Sequence, residues 1–275
     1  MEHIGELKAL MGRRGPGARV PGDRYHDVRR ANRCLATVPR AVRLWSAFRV
    51  EQSDPDRFYQ LLAADSVAQL SMFTPLQGRR LLDVGGGPGY FADAFRTAGS
   101  RYTAVDADLG ELSLRGDPPP GTVLGTGTAL PVRTGAVDVC YSSNVLEHVA
   151  EPEVMADEMV RVTAPGGTVF LSFTTWLSPW GGHETSPWHY FGGHRAAARY
   201  RRRTGYAPKN EFGRTLFATS ARRMLRWADA TCRAGRVEVI AAFPRYHPGW
   251  AHWVVRVPGV REVVVWNLVL VLRRR

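Results

Sequence analysis

The chain has 275 residues, 44% of them apolar and 23% charged, which suits one large globular domain and excludes a low-complexity or collagen-like chain. Its net charge of +12, carried almost entirely by arginine, predicts attraction to anionic partners such as nucleic acid, acidic lipid surfaces or phosphorylated substrates. Three scattered cysteines (Cys34, Cys140 and Cys232) exclude a disulfide scaffold, and no apolar run is long enough to span a bilayer, so we expect a cytoplasmic protein.

The N-terminal part divides into two segments. Residues 1–37 are rich in Gly and Arg, and we expect a disordered basic segment, most clearly over 12–24. Residues 38–50 predict a short basic helix with an apolar face formed by Val38, Val42, Trp45 and Phe48. Its arginines Arg40, Arg43 and Arg49 suit a solvated face beside a ligand cleft, which we favour, or a membrane surface.

A glycine-rich turn follows the first predicted strand. Ser53-Asp54-Pro55-Asp56 predicts the start of a helix that runs to about Phe73, and 81–84 predict a strand. The turn then reads Asp83-x-Gly85-x-Gly87-x-Gly89, before a helix predicted over 90–98. A dinucleotide-binding turn needs a glycine where this chain has Tyr90, so an NAD-type oxidoreductase is the weakest interpretation.

This turn resembles motif I of the class I S-adenosylmethionine-dependent methyltransferases. The resemblance implies that a side-chain-poor loop wraps the methionine part of the cofactor and that the acid lies near its ammonium group. A carboxylate is useful there because this cofactor has no pyrophosphate to repel it. The cofactor residues implied by this motif are Asp83, Gly85, Gly86, Gly87, Gly89 and Tyr90.

The second predicted strand, 101–105, ends in Asp106. A carboxylate at this point, about 20 residues after the glycine loop, can accept both ribose hydroxyls of an adenosine. We therefore assign Asp106 and its neighbour Ala107 to the cofactor site, with Asp108 as the close alternative, better suited to a turn or helix cap. After a short strand at 122–124, the loop Gly127-Thr128-Ala129 aligns with the stretch that lines adenine in the family, although Thr126 replaces the usual acid.

The fourth predicted strand begins at Val137, and its end resembles the Ser-Asn-x-x-Glu-His stretch of the methyltransferase type 11 branch. The resemblance implies that Ser143 and Asn144 touch cofactor or substrate. Glu147 is ambiguous, and His148 either shapes the cofactor site or acts as a base. A helix over 152–162 and a fifth strand over 168–173 complete the alternating pattern.

An insertion crowded with aromatic residues and histidines follows over 174–214, and it predicts a cap above the cofactor pocket. His183 or Glu184 is a candidate general base, although structural histidines in an aromatic cap are the default. A zinc site of His183, His189 and His194 has no local cysteine and no recognised spacing, so we predict no metal.

The remaining elements are a helix over 217–232, a strand over 237–243, a second cap-like loop over 244–259 and a last strand over 263–272. Together these predict one α/β domain over 38–275. Its Rossmann-like methyltransferase sheet has seven mostly parallel strands with the last antiparallel, helices on both faces and a cap insertion after strand five. From about residue 38, stretches such as Gly181-Gly182-His183-Glu184 resemble uncharacterised actinobacterial methyltransferases.

The predicted activity is methyl transfer from S-adenosyl-L-methionine to a small-molecule or glycan/lipid-type acceptor, with O-methylation slightly favoured. Two alternatives remain open. A nucleic-acid acceptor is suggested by the +12 charge, and a non-catalytic membrane-surface protein on the same fold is suggested by the basic helix and Trp-rich loops. Peripheral contact with an anionic membrane is compatible with the favoured activity as well.

Overall fold

The computed structural model describes residues 30, 32, 34–50 and 53–275, and the structural statements below concern those residues. The predicted basic segment 1–37 falls almost wholly outside them, and the disorder expected over 12–24 does so entirely. Glu51 and Gln52, just before the second helix, also lie outside the described residues.

A seven-stranded sheet forms the centre of the domain, in the order β3-β2-β1-β4-β5-β7-β6. Strands β1 to β5 pair in parallel, and β7 runs antiparallel to both β5 and β6, which confirms the predicted fold class. The strands are β1 Arg80–Val84, β2 Arg101–Asp106, β3 Thr122–Leu124, β4 Val137–Ser143, β5 Thr163–Thr174, β6 Val237–Pro244 and β7 Asn267–Arg274.

Helices cover both faces of the sheet. The α-helices are α1 Val38–Phe48, α2 Pro55–Ser71, α3 Tyr90–Thr97, α4 Leu109–Leu112, α5 Pro152–Val162, α6 Gly193–Thr204, α7 Ala221–Arg233 and α8 Val260–Val264. Met155, Met159 and Val162 lie on one face of α5 and are fully buried, as their helical spacing predicted. None of the described helices is both long and apolar enough to cross a bilayer.

Three predicted boundaries are wrong. Helix α7 begins at Ala221, not at Phe217, because the Ser220 hydroxyl caps it by accepting from the Arg223 amide at 3.1 Å. Strand β7 begins at Asn267, because part of the preceding apolar run forms helix α8. Strand β5 begins at Thr163, five residues before the predicted start, and its register against β4 shifts between Val137 and Val139.

Helix α1 forms as predicted, but its predicted apolar face is wrong. Leu44 and Ala47 are buried together with Arg40, whereas Val38 and Val42 are 52% and 57% exposed. The reason is that an acid in α2, Asp65, accepts two hydrogen bonds from the Arg40 guanidinium, each 2.6 Å long. This buried pair turns the arginine toward the core and leaves the valines outside.

A second buried arginine, Arg245, follows β6 and lies beside this pair. The Arg40 guanidinium donates to the Arg245 carbonyl at 3.0 Å, and Arg245 itself is 0% exposed. Its guanidinium donates to the hydroxyls of Ser143 in β4 at 2.7 Å and Ser172 in β5 at 3.0 Å. It also donates to the Ser66 hydroxyl of α2. These bonds attach α1 and α2 to the carboxyl ends of the central strands.

We expect Asp65→Asn to lower the free energy of unfolding by about 3–5 kcal/mol, because it leaves the buried Arg40 guanidinium without its counter-charge. The matched control is Asp229→Asn, which removes an exposed ion pair with Arg233 and costs roughly 0.5 kcal/mol. Urea denaturation of both variants measures the difference. Equal losses would contradict the importance assigned to the buried pair.

Candidate functional site

A cleft of about 1940 Å³ opens at the carboxyl ends of β1, β2 and β4, where open α/β sheets bind ligands. Typical single-ligand pockets measure roughly 300–1,000 Å³, so this cleft has room for two molecules side by side. One wall is the glycine loop with the end of β2. The other wall is formed by the cap and by the turn after β4, which packs against the glycine loop at Val145.

Two glycines of the loop have no space for a side chain. Gly85 has a φ of +81°, and a Cβ on it would come within 2.3 Å of the Val145 side chain. Gly89 has a φ of +85°, and a Cβ there would come within 2.2 Å of Pro119. Both positions therefore require glycine for conformation and for close approach. The loop presents backbone atoms to the cleft.

Asp106 ties the end of β2 to this loop. One carboxylate oxygen accepts from the Gly87 amide at 2.9 Å, and the other accepts from the Asp108 amide at 2.9 Å. The residue lines the cleft. Asp108 accepts from the Gly110 amide at 2.7 Å and caps α4, so the predicted capping role of Asp108 is confirmed.

Asp83 lies behind the loop, away from the cleft lining. It is 1% exposed, and the Tyr102 hydroxyl donates to its carboxylate at 2.8 Å. Burial raises the pKa of Asp83 to about 7, although the hydrogen bond from Tyr102 opposes this shift. Its contact with a cofactor ammonium stays a prediction.

Most of the other predicted cofactor residues surround the same space. Those that line the cleft are Gly85, Gly86, Gly87, Tyr90, Asp106, Ala107, Gly127, Thr128, Ser143, Asn144 and His148. Gly89 and Ala129, like Asp83, lie outside the lining. The hydroxyls of Thr126 and Thr128 are 2.9 Å apart. Thr126 stands at the position where the family usually has an acid near the adenine.

The three candidate catalytic residues, His148, His183 and Glu184, line the opposite wall. The His148 Nδ1 donates to the Thr215 carbonyl at 2.6 Å, which anchors the ring to the cap. Burial and the neighbouring His148 lower the pKa of His183 to about 4, so its imidazole is neutral at pH 7. Burial works against ionisation of Glu184, but hydrogen bonds from Asn210 lower its pKa overall.

Asn210 holds both oxygens of Glu184, through its backbone amide at 2.7 Å and its side-chain amide at 2.8 Å. In the part of the chain that the structure describes, His183, His189 and His194 do not form a cluster of metal-ligand atoms. The buried His189 instead donates from Nε2 to the Ser178 carbonyl at 3.1 Å. The default expectation of a structural histidine suits His189.

Several cleft residues were missed by sequence reasoning. Asn210 and Thr215 anchor candidate side chains from a stretch without a motif, and Arg214 lies between them in the wall. Aromatic residues distant in the chain also line the cleft, namely Trp45, Phe48, Tyr59, Trp180, Tyr246 and Trp266. No local pattern marks these positions, although Trp180 lay in the predicted cap and Trp45 in the predicted cleft-side helix.

Comparison with known proteins places the chain among methyltransferases. A family model described as a methyltransferase domain matches residues 82–171. The chain is 54% identical to an uncharacterised methyltransferase of Mycolicibacterium gilvum, covering 86% of this chain and 95% of the relative. A second relative, from Mycolicibacterium vanbaalenii, is 52% identical over 91% of this chain and 98% of its own length.

Solved structures agree in fold. An S-adenosylmethionine-dependent methyltransferase from Mesorhizobium loti matches with a TM-score of 0.50 and 19% identity, over 77% of this chain and 98% of its own. A geranyl diphosphate methyltransferase in complex with S-adenosylmethionine matches with a TM-score of 0.51 and 14% identity, over 86% and 90%. At these identities the likeness concerns the fold.

We expect the buried Asp83 to make stability depend on pH. The pKa of Asp83 is about 7 in the folded chain, whereas its ordinary value is 3.8. Between these two pH values the folded chain keeps a proton that the unfolded chain releases. Relative to Asp83→Asn, the wild-type free energy of unfolding should fall by roughly 1.4 kcal/mol per pH unit between pH 5 and 7. The difference should level off above the folded pKa.

Urea denaturation of both proteins at a series of pH values measures this difference, since all other titrating groups are shared. If the free energies of unfolding of the two proteins changed in parallel with pH, the Asp83 carboxyl would already be ionised in the folded chain below pH 7.

Proposed function

This chain belongs to a family of mycobacterial methyltransferases and is itself a methyltransferase, and we propose that it methylates an oxygen of a small-molecule or glycan/lipid-type acceptor with S-adenosylmethionine. The proposal depends on one observation. A glycine-rich loop with a carboxylate at its edge lines one cleft together with histidines and aromatic rings.

The first wall fits the cofactor. Gly85, Gly86 and Gly87 supply backbone close to the cleft, and a Cβ on Gly86 would come within 2.7 Å of Ala104. Asp106 is held by two amides and can accept from ribose hydroxyls, while the family resemblance assigns the cleft-lining Thr128 to the adenine. Bound there, S-adenosylmethionine would supply an electrophilic methyl group on its sulfonium, so the protein mainly has to align an acceptor.

The second wall supports an acceptor with a hydroxyl and some apolar surface. The rings of Phe48 and Trp180 are 5.1 Å apart, and those of Trp180 and Trp266 are 6.3 Å apart. Such rings pack well against sugar faces or hydrocarbon. His148 and His183 bring imidazoles to the same wall. Both Glu184 oxygens are occupied by Asn210, so we assign Glu184 to positioning of the cap.

The charges of the cleft favour this acceptor over nucleic acid. Three of its cations are already paired with carboxylates: Lys209 with Glu111 at 2.7 Å, Arg214 with Glu211 at 3.2 Å and Arg115 with Asp56 at 3.6 Å. The arginine run of α6 is exposed, and only Tyr200 of that helix lines the cleft. Among the described residues, the arginine run of α6 therefore lies outside the cleft, and peripheral contact with an anionic surface remains part of the proposal.

We expect Asp106→Ala to weaken S-adenosylmethionine binding by about 10- to 100-fold, because hydrogen bonds to a charged acceptor contribute roughly 1.5–3 kcal/mol. Isothermal titration calorimetry measures the affinity, with Asp117→Ala as control because Asp117 lies on an exposed turn outside the cleft lining. Unchanged affinity in Asp106→Ala would move the ribose contact to another residue.

Incubation with methyl-labelled cofactor and fractionated mycobacterial extract tests the acceptor. We expect label in a small-molecule, glycan or lipid fraction and O-methyl products by mass spectrometry. Products methylated only on nitrogen would refute O-methylation. Label that follows an RNA fraction, with affinity falling steeply as salt rises, would favour the nucleic-acid alternative. No S-adenosylmethionine binding by calorimetry would favour a non-catalytic protein.

A further inference from the structure

Three potential metal ligands meet on the acceptor wall of the cleft. Glu147 and His148 lie in the turn after β4, and His183 comes from the cap. Each offers one ligand atom, and these atoms lie within 4.8 Å of one another. The two imidazole rings are 5.1 Å apart between centroids. Both histidines line the cleft, and Glu147 lies behind them with 1% exposure.

Two atoms of this cluster are buried without a hydrogen-bond partner among the described residues. They are Oε2 of Glu147 and Nε2 of His183. A buried polar group left unsatisfied is unfavourable because it loses its hydrogen bonds to water, and more so when it is charged. A cation between the carboxylate oxygen and the imidazole nitrogen satisfies both atoms at once. This pair of atoms is the observation that points to a ligand.

The other polar atoms of Glu147 and His148 are already engaged, as the outer contacts of metal ligands usually are. Oε1 of Glu147 accepts from the Thr174 amide at 3.0 Å. Nδ1 of His148 donates to the Thr215 carbonyl at 2.6 Å, which leaves Nε2 of a neutral ring with a free lone pair. These two contacts orient the remaining atoms toward a common point.

His183 is held in an uncommon backbone conformation. Its φ is +48°, in the left-handed region that non-glycine residues rarely adopt. Such backbone strain is unfavourable and occurs often at functional sites. Here it accompanies a histidine whose Nε2 is buried beside a carboxylate and a second imidazole.

We propose that Glu147, His148 and His183 bind one divalent transition-metal ion of the zinc type, with an open coordination position facing the cleft for an acceptor oxygen. Two histidines and one carboxylate are a ligand set that keeps such a position in catalytic sites. Hard ions such as Mg²⁺ prefer oxygen ligands and suit this set less well. The acceptor part of this inference depends on the proposed methyl transfer, whereas metal binding itself does not.

Tetrahedral zinc with ligands at 2.0–2.1 Å separates neighbouring ligand atoms by about 3.3 Å, so atoms that all lie within 4.8 Å of one another need at most a modest contraction. The proposal departs from our sequence prediction of no metal, which considered only histidines close together in the chain. His148 and His183 are far apart in the sequence, and the fold brings them together.

The test is titration of the full-length, chelator-treated protein with Co²⁺, a zinc substitute that reports its ligands by visible absorption. We expect one saturable equivalent in the wild type, and one zinc per chain by elemental analysis after reconstitution with Zn²⁺. Glu147→Gln and His183→Gln should each weaken binding at least 10-fold. The control His194→Gln removes an exposed histidine of the same cap and should bind as the wild type does.

Absence of a saturable equivalent in the wild type would overturn the proposal without any variant. A metal affinity of Glu147→Gln equal to that of the wild type would overturn the proposal as well. So would a loss of metal affinity in His194→Gln as large as that in the two ligand variants. Circular dichroism establishes that the variants are folded, and His183→Gln, at a cleft-lining position, provides the second variant if Glu147→Gln does not fold.

Calorimetry of the metal-free protein with S-adenosylmethionine separates this inference from the proposed function. Cofactor binding without metal binding would refute the metal site and leave methyl transfer standing. Metal binding without cofactor binding would refute the proposed function and keep the site. Label transfer to the acceptor should fall when the metal is chelated and should recover when Zn²⁺ is added. Failure of either result would refute the role of the metal in holding the acceptor oxygen.

Discussion

The structure depends on the buried guanidinium of Arg245, which stabilises the join between the N-terminal helices and the sheet. The guanidinium donates to the hydroxyls of Ser66 in α2, Ser143 in β4 and Ser172 in β5. The main-chain carbonyl of the same residue accepts from Arg40 of α1. A buried cation is tolerated only where hydrogen bonds and a counter-charge surround it, and the carboxylate of the Arg40 pair lies close enough to contribute. Ser143 also lines the cleft. The contacts that attach the helices to the sheet therefore also hold a cleft-lining side chain in place.

The two walls of the cleft are built in different ways. The wall proposed for the cofactor is built from segments close together in the chain, namely a strand, a glycine turn and a helix. Asp106, at the end of β2, accepts from the Gly87 amide that follows the neighbouring strand β1. The acceptor wall is assembled from distant segments. The segment that directly follows the cap attaches to the turn after β4. The Phe217 amide donates to the Glu147 carbonyl at 2.8 Å, and the Thr215 carbonyl accepts from His148.

This division explains which residues could be predicted. Strand ends, the capped helices and the glycine loop follow from short-range periodicity and turn chemistry, and their bounds agree to within a few residues. Some errors have a tertiary cause. The pattern of α1 predicts a solvated face for Arg40, but this residue is buried because Asp65, in another helix, offers a counter-charge. Other errors are local: Ser220 caps α7 later than predicted, and residues before β7 form the short helix α8 instead of strand.

By itself the sequence determined the α/β sheet and the glycine loop with Asp106, and its motifs resemble those of a methyltransferase class, because all of these follow from local periodicity and short motifs. Only the tertiary structure decided which polar groups of the acceptor wall meet. Glu147 and His183 belong to separate segments, and their buried atoms converge because β4 and the cap fold against each other. Such convergence depends on packing between elements, which no spacing in the chain records.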